Sequence, residues 1–197
     1  MAGLFENVHG SDEVRGIDIG TGASAIYPLL LCSTTKGFMI ALEMDKRNFE
    51  FALENVARNA LSERINVIKV DGHSLLPRDI IKDEKFDFVM VNPPFYHSQA
   101  QIENSKYIKG SPSHSFCQAS NAEMITYGGE IVFLSQLVKE SQDYKNQIKW
   151  FTCLIGFKKD VEPLKIVVQS LAIKSLITTS FKQGKTVRWY MAWSWLN

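Results

Sequence analysis

The tetrad Asn92-Pro93-Pro94-Phe95 follows the apolar run FDFVMV at 86–91. Pro93 and Pro94 have no N–H, so the segment cannot continue a central ladder. The residue before a proline is held extended, which stiffens Asn92 and then Pro93. The result is a rigid strand end whose carbonyls lack local partners. The Asn92 side-chain oxygen and the Pro93 backbone oxygen could each accept one N–H of a planar amino group, and Phe95 could stack on the ring that bears it. The nitrogen of such a group is a poor nucleophile because its lone pair is delocalised. Two fixed acceptors would orient it and favour aiming the lone pair at an electrophile, which is catalysis by positioning and electrostatics. A proline-stopped loop with a structural asparagine is the plainer reading of the same residues.

A second group lies upstream. Asp18 ends a β-like run, and Gly20 and Gly22 make the turn in DIGTGAS. Glycines there admit positive φ and a close ligand approach. In an open α/β sheet, ligands sit beyond the carboxyl ends of the strands. Gly20 to Ala25 also fits the loose pattern G-x-G-x-x-A, so the turn alone does not separate a dinucleotide from another adenosyl ligand. Glu43 follows at the end of the next apolar run, where a carboxylate can accept from both hydroxyls of a ribose. A helix-capping acid is the alternative, but Asp45 fills that position. S-adenosylmethionine would serve both groups, with a nucleoside for the turn and the acid and an activated methyl for the amino group.

These residues need elements to hold them. Strands are expected at 14–19, 37–43, 65–70, 86–91 and 149–156, and two more in the C-terminal segment, joined at Gln183-Gly184-Lys185. A short helix follows the glycine turn with Pro28 in its first turn. A second starts after Asp45 and presents Phe49, Ala52, Leu53, Val56 and Ala60 on one face. Further helices are expected from Tyr127-Gly128-Gly129-Glu130 to about Tyr144, and over 161–172 with Pro163 near its start. Residues 96–117 show no periodicity and read as a functional loop. Alternating strands and helices imply a doubly wound parallel sheet, with the last two strands antiparallel to each other.

Composition excludes some classes. The 197 residues are 45% hydrophobic and 22% charged, enough to build one core. The longest apolar run, near 25–32, is too short to span a bilayer. The start lacks a basic region followed by an apolar one, so no secretory signal is expected. Cys32, Cys117 and Cys153 have no paired spacing, which suits a reducing compartment and an intracellular protein, nuclear or cytoplasmic if eukaryotic. His97, His114 and Cys117 match no standard zinc spacing, and no metal is expected. Net charge is −6 over 1–144 and +7 over 145–197, which points to a polyanionic partner or to a solvated basic face. Lys158, Lys159, Lys182, Lys185 and Arg188 could meet phosphates. Trp189, Trp193 and Trp195 alternate along a terminal strand, so core packing is favoured over stacking on RNA.

GIDIGTGASAIYPLL, NPPF and KTVRWYMAWSW together resemble the methyltransferase-like protein 16 family over roughly residues 14–197. The resemblance implies a Rossmann-like class I S-adenosylmethionine-dependent methyltransferase domain over 14–197, with a seven-stranded, mostly parallel sheet and a C-terminal antiparallel hairpin. Residues 1–13 are expected to be a short tail ahead of that domain. It implies methylation of the adenine N6 amino group of structured RNA, either U6 small nuclear RNA or ribosomal RNA. Cofactor contacts are then expected at Asp18, Gly20, Gly22, Glu43, Ser74 and Asn92, and catalysis at Asn92, Pro93, Pro94 and Phe95. RNA contacts are expected at Lys106, Lys109, Lys182, Lys185 and Arg188. Family members usually carry a basic segment ahead of the first strand. Residues 1–13 instead hold Glu6, Asp12 and Glu13, so the chain reads as N-terminally short. From the residues alone, a guanine amino group, a glutamine amide or a non-catalytic RNA-binding module remain alternatives.

Overall fold

The computed structural model describes residues 13–93, 129–184 and 186–196. The strands are β1 (Arg15–Ile19), β2 (Phe38–Glu43), β3 (Ile65–Lys69), β4 (Phe86–Val91), β5 (Ile148–Ile155), β6 (Ser175–Gln183) and β7 (Thr186–Ser194). The helices are α1 (Ile26–Thr34), α2 (Lys46–Arg58), α3 (Arg78–Ile81), α4 (Gly129–Glu140) and α5 (Val161–Gln169). Short 3-10 turns cover Ser141–Tyr144 and Lys158–Asp160. The seven strands run in the order β3-β2-β1-β4-β5-β7-β6. All neighbours are parallel except β5–β7 and β6–β7. This is the Rossmann-like sheet with its antiparallel hairpin at one edge.

The central strands are buried on both faces and read as continuous apolar runs. Ile17, Ile19, Val89, Val91, Phe151, Cys153 and Ile155 face Leu134, Leu137 and Val138 of α4 and Leu164 and Val168 of α5. Met39, Ala41 and Met90 face Leu31 and Cys32 of α1 and Ala52 and Val56 of α2. Gly16 has a packing cause: a Cβ there would lie 2.3 Å from the Phe88 ring and 2.7 Å from Met39 Sδ.

Pro28 and Pro163 each occupy the third helical position, where a missing N–H costs nothing. Asp45 caps α2 by accepting from the Asn48 N–H at 2.9 Å. Two members of the expected α2 face do not join the core. Leu53 is 42% exposed, and Ala60 lies past the helix end with φ 55. Asn48 is buried instead. The helix from Gly129 tightens into a 3-10 turn at Ser141, and α5 ends at Gln169, short of 172. The single-turn α3 carries too few residues to show periodicity. Trp193 is fully buried, and Trp189 and Trp195 pack against the same core. Trp193 and Trp195 both donate to Ser141 Oγ, at 3.1 and 3.0 Å. The tryptophan stripe is therefore core, as its period of two implies.

Candidate functional site

The site is built on the carboxyl edge of the sheet. Ile19 pairs with Leu42 on one side and Val91 on the other, so Glu43, Gly20 and Asn92 come next in one row across three strands. Side chains alternate along a strand. Asp18, Glu43 and Asn92 therefore share the face of Met39, Ala41 and Met90.

The glycine turn is pinned from two elements, β2 and α2. The Gly20 and Thr21 N–H groups donate to the Leu42 carbonyl at 2.9 and 3.0 Å. The Gly22 N–H donates to Glu43 Oε2 at 2.8 Å. Asn55 Nδ2 of α2 donates to the Ala23 carbonyl at 2.9 Å. Gly20 and Gly22 both sit at φ 68, where a side chain would be strained. A Cβ on Gly20 would meet nothing within 4 Å, so the turn fronts open space. The helix that follows, α1, starts without a side-chain cap.

Glu43 is 5% exposed. Its Oε2 holds the turn and its Oε1 accepts the Asp45 N–H at 2.8 Å, so it joins the turn to the start of α2. Asp18 is 1% exposed. Burial pushes its carboxyl up to about 7 and the Glu43 carboxylate adds to the rise; the Thr21 hydroxyl lies close enough to offset part of it without completing a hydrogen bond of good geometry. Three buried side-chain atoms among the described residues have no hydrogen-bond partner: Asp18 Oδ2, Thr21 Oγ1 and Asn92 Oδ1. All three lie at the adjoining ends of β1 and β4. A buried orphan costs about 1–3 kcal/mol, so three together mark a place where a polar ligand would relieve the penalty. Buried acceptors beside an open glycine turn and a ribose-level acid fit a nucleoside cofactor with a cationic end, as S-adenosylmethionine has.

Ser74 follows the carboxyl end of β3, but its hydroxyl is committed. It donates to Glu140 Oε2 at 2.8 Å, and the Leu75 and Leu76 N–H groups reach the same oxygen at 3.0 Å. Glu140, at the end of α4, thus brackets the loop after β3. Glu130 at the start of α4 does the same for the loop after β5. Its carboxylate accepts the Gly156 N–H at 2.5 Å and the Phe157 N–H at 3.3 Å. Burial pushes its carboxyl up to about 7, the two amide bonds lower it, and Asp160 raises it.

Of the expected catalytic tetrad, Asn92 is half-buried and Pro93 buried at the end of β4. Pro94 and Phe95 lie outside the described residues, as do Lys106, Lys109, Lys185, His97, His114, Cys117, the loop 96–117 and residues 1–12. Lys182 and Arg188 fall on opposite faces of the hairpin. Lys182 pairs with Val187 on the tryptophan side, and Arg188 is on the side of Asp18 and Asn92. Among the described residues, no group of three metal-ligating side chains forms, and no helix is long and apolar enough to cross a membrane.

The sequence reading missed Thr21, Asn55, Glu130 and Glu140. Thr21 lay inside the quoted motif. The carboxylates had no signal, because they act on backbone amides 26 to 65 residues away.

Residues 3–197 match the family model described as RNA methyltransferase. The RNA N(6)-adenosine-methyltransferase mettl16 of Xenopus laevis is 39% identical over 196 residues, covering 95% of this chain and 36% of that protein. A crystal structure of the hMettl16 catalytic domain in complex with MAT2A 3'UTR hairpin 1 is similar with a TM-score of 0.83 and 34% identity. It covers 93% of this chain and 64% of that one. The N-terminal domain of human METTL16 in complex with SAH is similar with a TM-score of 0.77 and 34% identity, over 98% and 66% of the two chains. The chain spans about a third of the length of the vertebrate relatives it matches.

Proposed function

The chain belongs to this RNA methyltransferase family, and on that premise we propose that it is an S-adenosylmethionine-dependent enzyme acting on the adenine N6 amino group of structured RNA. The observation that carries the reading is the trio of orphaned buried oxygens on Asp18, Thr21 and Asn92 beside the open glycine turn. The relatives' names and the SAH complex support it.

Bound S-adenosylmethionine supplies a methyl group on a sulfonium, which is already an electrophile. Gly20 and Gly22 let the backbone approach the cofactor, Glu43 accepts from its ribose hydroxyls, and Asp18 offers a buried acceptor to its cationic end. The Asn92 side chain and the Pro93 carbonyl each hold one N–H of the adenine amino group and aim its lone pair. Phe95, by its place in the tetrad, stacks on the base. Held there, the amino nitrogen would replace sulfur at the methyl carbon, and one amino proton would pass to water. The target base must leave its stack to reach Asn92, which favours adenines in loops or bulges. Ser74 contributes through the loop that Glu140 holds. Lys106, Lys109, Lys185 and Arg188 would contact phosphates, and binding weakens with salt; Lys182, on the opposite face of the hairpin, would not share that strand of RNA.

The test is calorimetry with S-adenosylmethionine, then nucleoside analysis of methylated total RNA. The reading expects saturable cofactor binding and N6-methyladenosine as product. No heat at millimolar cofactor, or methylguanosine instead, would overturn it.

A further inference from the structure

The sheet extends the catalytic row past Asn92 to a pair of aromatic rings. Val91 pairs with Cys153, so Asn92 lies level with Leu154. Leu154 pairs with Tyr190 of β7, and Tyr190 pairs with Thr179 of β6. Tyr190 thus stands in the row of Glu43, Gly20 and Asn92. It is on the same face, because Trp189, Met191 and Trp193 take the other. At about 4.8 Å per strand, two strand steps separate Tyr190 from Asn92 by about 10 Å. The Phe181 ring stacks on Tyr190, with centroids 5.1 Å apart and planes 20° from parallel. Phe181 is 38% exposed, and Ile177 on its face is 53% exposed. Ile155, the last residue of β5, pairs with Trp189. The hairpin therefore overhangs the carboxyl edge by three residues, about 10 Å.

One cationic side chain adjoins the rings. Arg188 is opposite Phe181 in register and on the same face. Through Leu154, Tyr190 continues the row of Asn92, so this hairpin face adjoins the face that carries Asp18. The segment from 145 onward carries a net charge of +7. A flat aromatic pair beside a guanidinium, level with the catalytic asparagine, suits a base and its phosphate.

We propose that Phe181 and Tyr190 form a stacking platform for an unpaired RNA base adjoining the target adenine, with Arg188 drawing in its phosphate. The proposal rests on the RNA-methyltransferase reading and adds a specificity surface to it. The platform selects for single-stranded RNA around the target, since only an unpaired base offers its ring face. It holds the strand far enough from Asn92 for the adenine alone to enter the site.

The test uses the full chain and two labelled RNAs. One is a hairpin with an adenine-containing single-stranded loop carrying 2-aminopurine next to one adenine. The other is a fully paired duplex of the same length. Tyr190→Ala and Phe181→Ala are each expected to weaken hairpin binding by about tenfold. Duplex binding, S-adenosylmethionine affinity and the slope of affinity against salt should stay unchanged, because no phosphate contact is lost. Fluorescence quenching of 2-aminopurine on binding should disappear in Tyr190→Ala and return in Tyr190→Phe. The exposed Phe181→Ala variant keeps the test readable if Tyr190→Ala unfolds. Equal hairpin affinity in wild type and Phe181→Ala overturns the platform alone, as does a loss shared equally by duplex and hairpin. A dimer that dissociates in either variant, with RNA binding unchanged, overturns it too and assigns the face to a second copy. If the wild-type chain binds neither RNA, the functional reading falls with it.

Discussion

Asp18→Asn is expected to make the cofactor-free protein more stable at pH 8 while weakening S-adenosylmethionine binding. The Asp18 carboxyl is raised from 3.8 to about 7 by burial. The folded state therefore holds a proton that the unfolded chain releases at lower pH. Its stability contribution is fully present below about 3.8 and is lost as pH rises through about 7. The shift of about three units corresponds to about 4 kcal/mol at 1.36 kcal/mol each. Asparagine has the same shape and no charge, but its amide also needs a partner, at about 1–3 kcal/mol. The net gain at pH 8 is then about 1–3 kcal/mol. At about 2–4 °C per kcal/mol for a domain of this size, Tm should rise by a few degrees to about 10 °C. At pH 4 the charge cost falls below about 1 kcal/mol while the amide penalty remains, so the gain should be gone and the variant slightly less stable than wild type. Cofactor binding runs the other way. Asp18 must be ionised to pair with a cationic group, so wild-type affinity should rise with pH and level off above about 7. Each unit below that costs about tenfold. The variant should bind more weakly by about 1.5–3 kcal/mol, the worth of a charged hydrogen bond, with a flat pH profile. Thermal melts at pH 4 and 8 and calorimetry from pH 5.5 to 8.5 read both effects. A variant less stable than wild type at pH 8 would refute the account of the buried charge. An unchanged pH profile of binding would refute the role at the cofactor.

Asn92→Ala should leave S-adenosylmethionine affinity within a few-fold and lower methyl transfer by about 10²–10³, the effect of removing one preorganised polar group; single-turnover rates with saturating RNA check this. In Glu43→Gln, one carboxylate oxygen becomes an NH2 that faces either the Gly22 or the Asp45 N–H. Cofactor Kd should rise at least tenfold by calorimetry while hairpin RNA affinity holds. Ser141→Ala removes the acceptor for both Trp193 and Trp195. It should cost about 1–3 kcal/mol in urea unfolding and alter the near-ultraviolet tryptophan dichroism without affecting cofactor affinity. Retained stability in Ser141→Ala would show that the indoles find water instead.

What could be read without coordinates was local. Apolar runs of five or six residues gave the first four strands, and Asp45 marked the start of α2 through a side chain that reaches three residues along. Gly20, Gly22 and the Gly184 turn were legible because positive φ selects glycine. The end of β4 was legible because proline cannot pair. Each of these depends on neighbours in sequence.

Strand order and facing decided the rest. β1 sits between β2 and β4, and that brings Glu43, Gly20 and Asn92 into one row from positions up to 72 residues apart. Lys182 and Arg188 looked equivalent as basic residues of one hairpin, but the period of two in a strand put them on opposite sides. The same alternation buried the tryptophans, as their period of two implied, and presented Tyr190 and Phe181 on the site's face. Glu140 found Ser74, Leu75 and Leu76 only because α4 packs beside the loop after β3. The sequence alone determined which residue types could bind a nucleoside and hold an amino group, since those follow from side-chain chemistry and local backbone limits. The tertiary structure alone decided which of them meet, because burial and register are properties of segments that pair across the chain.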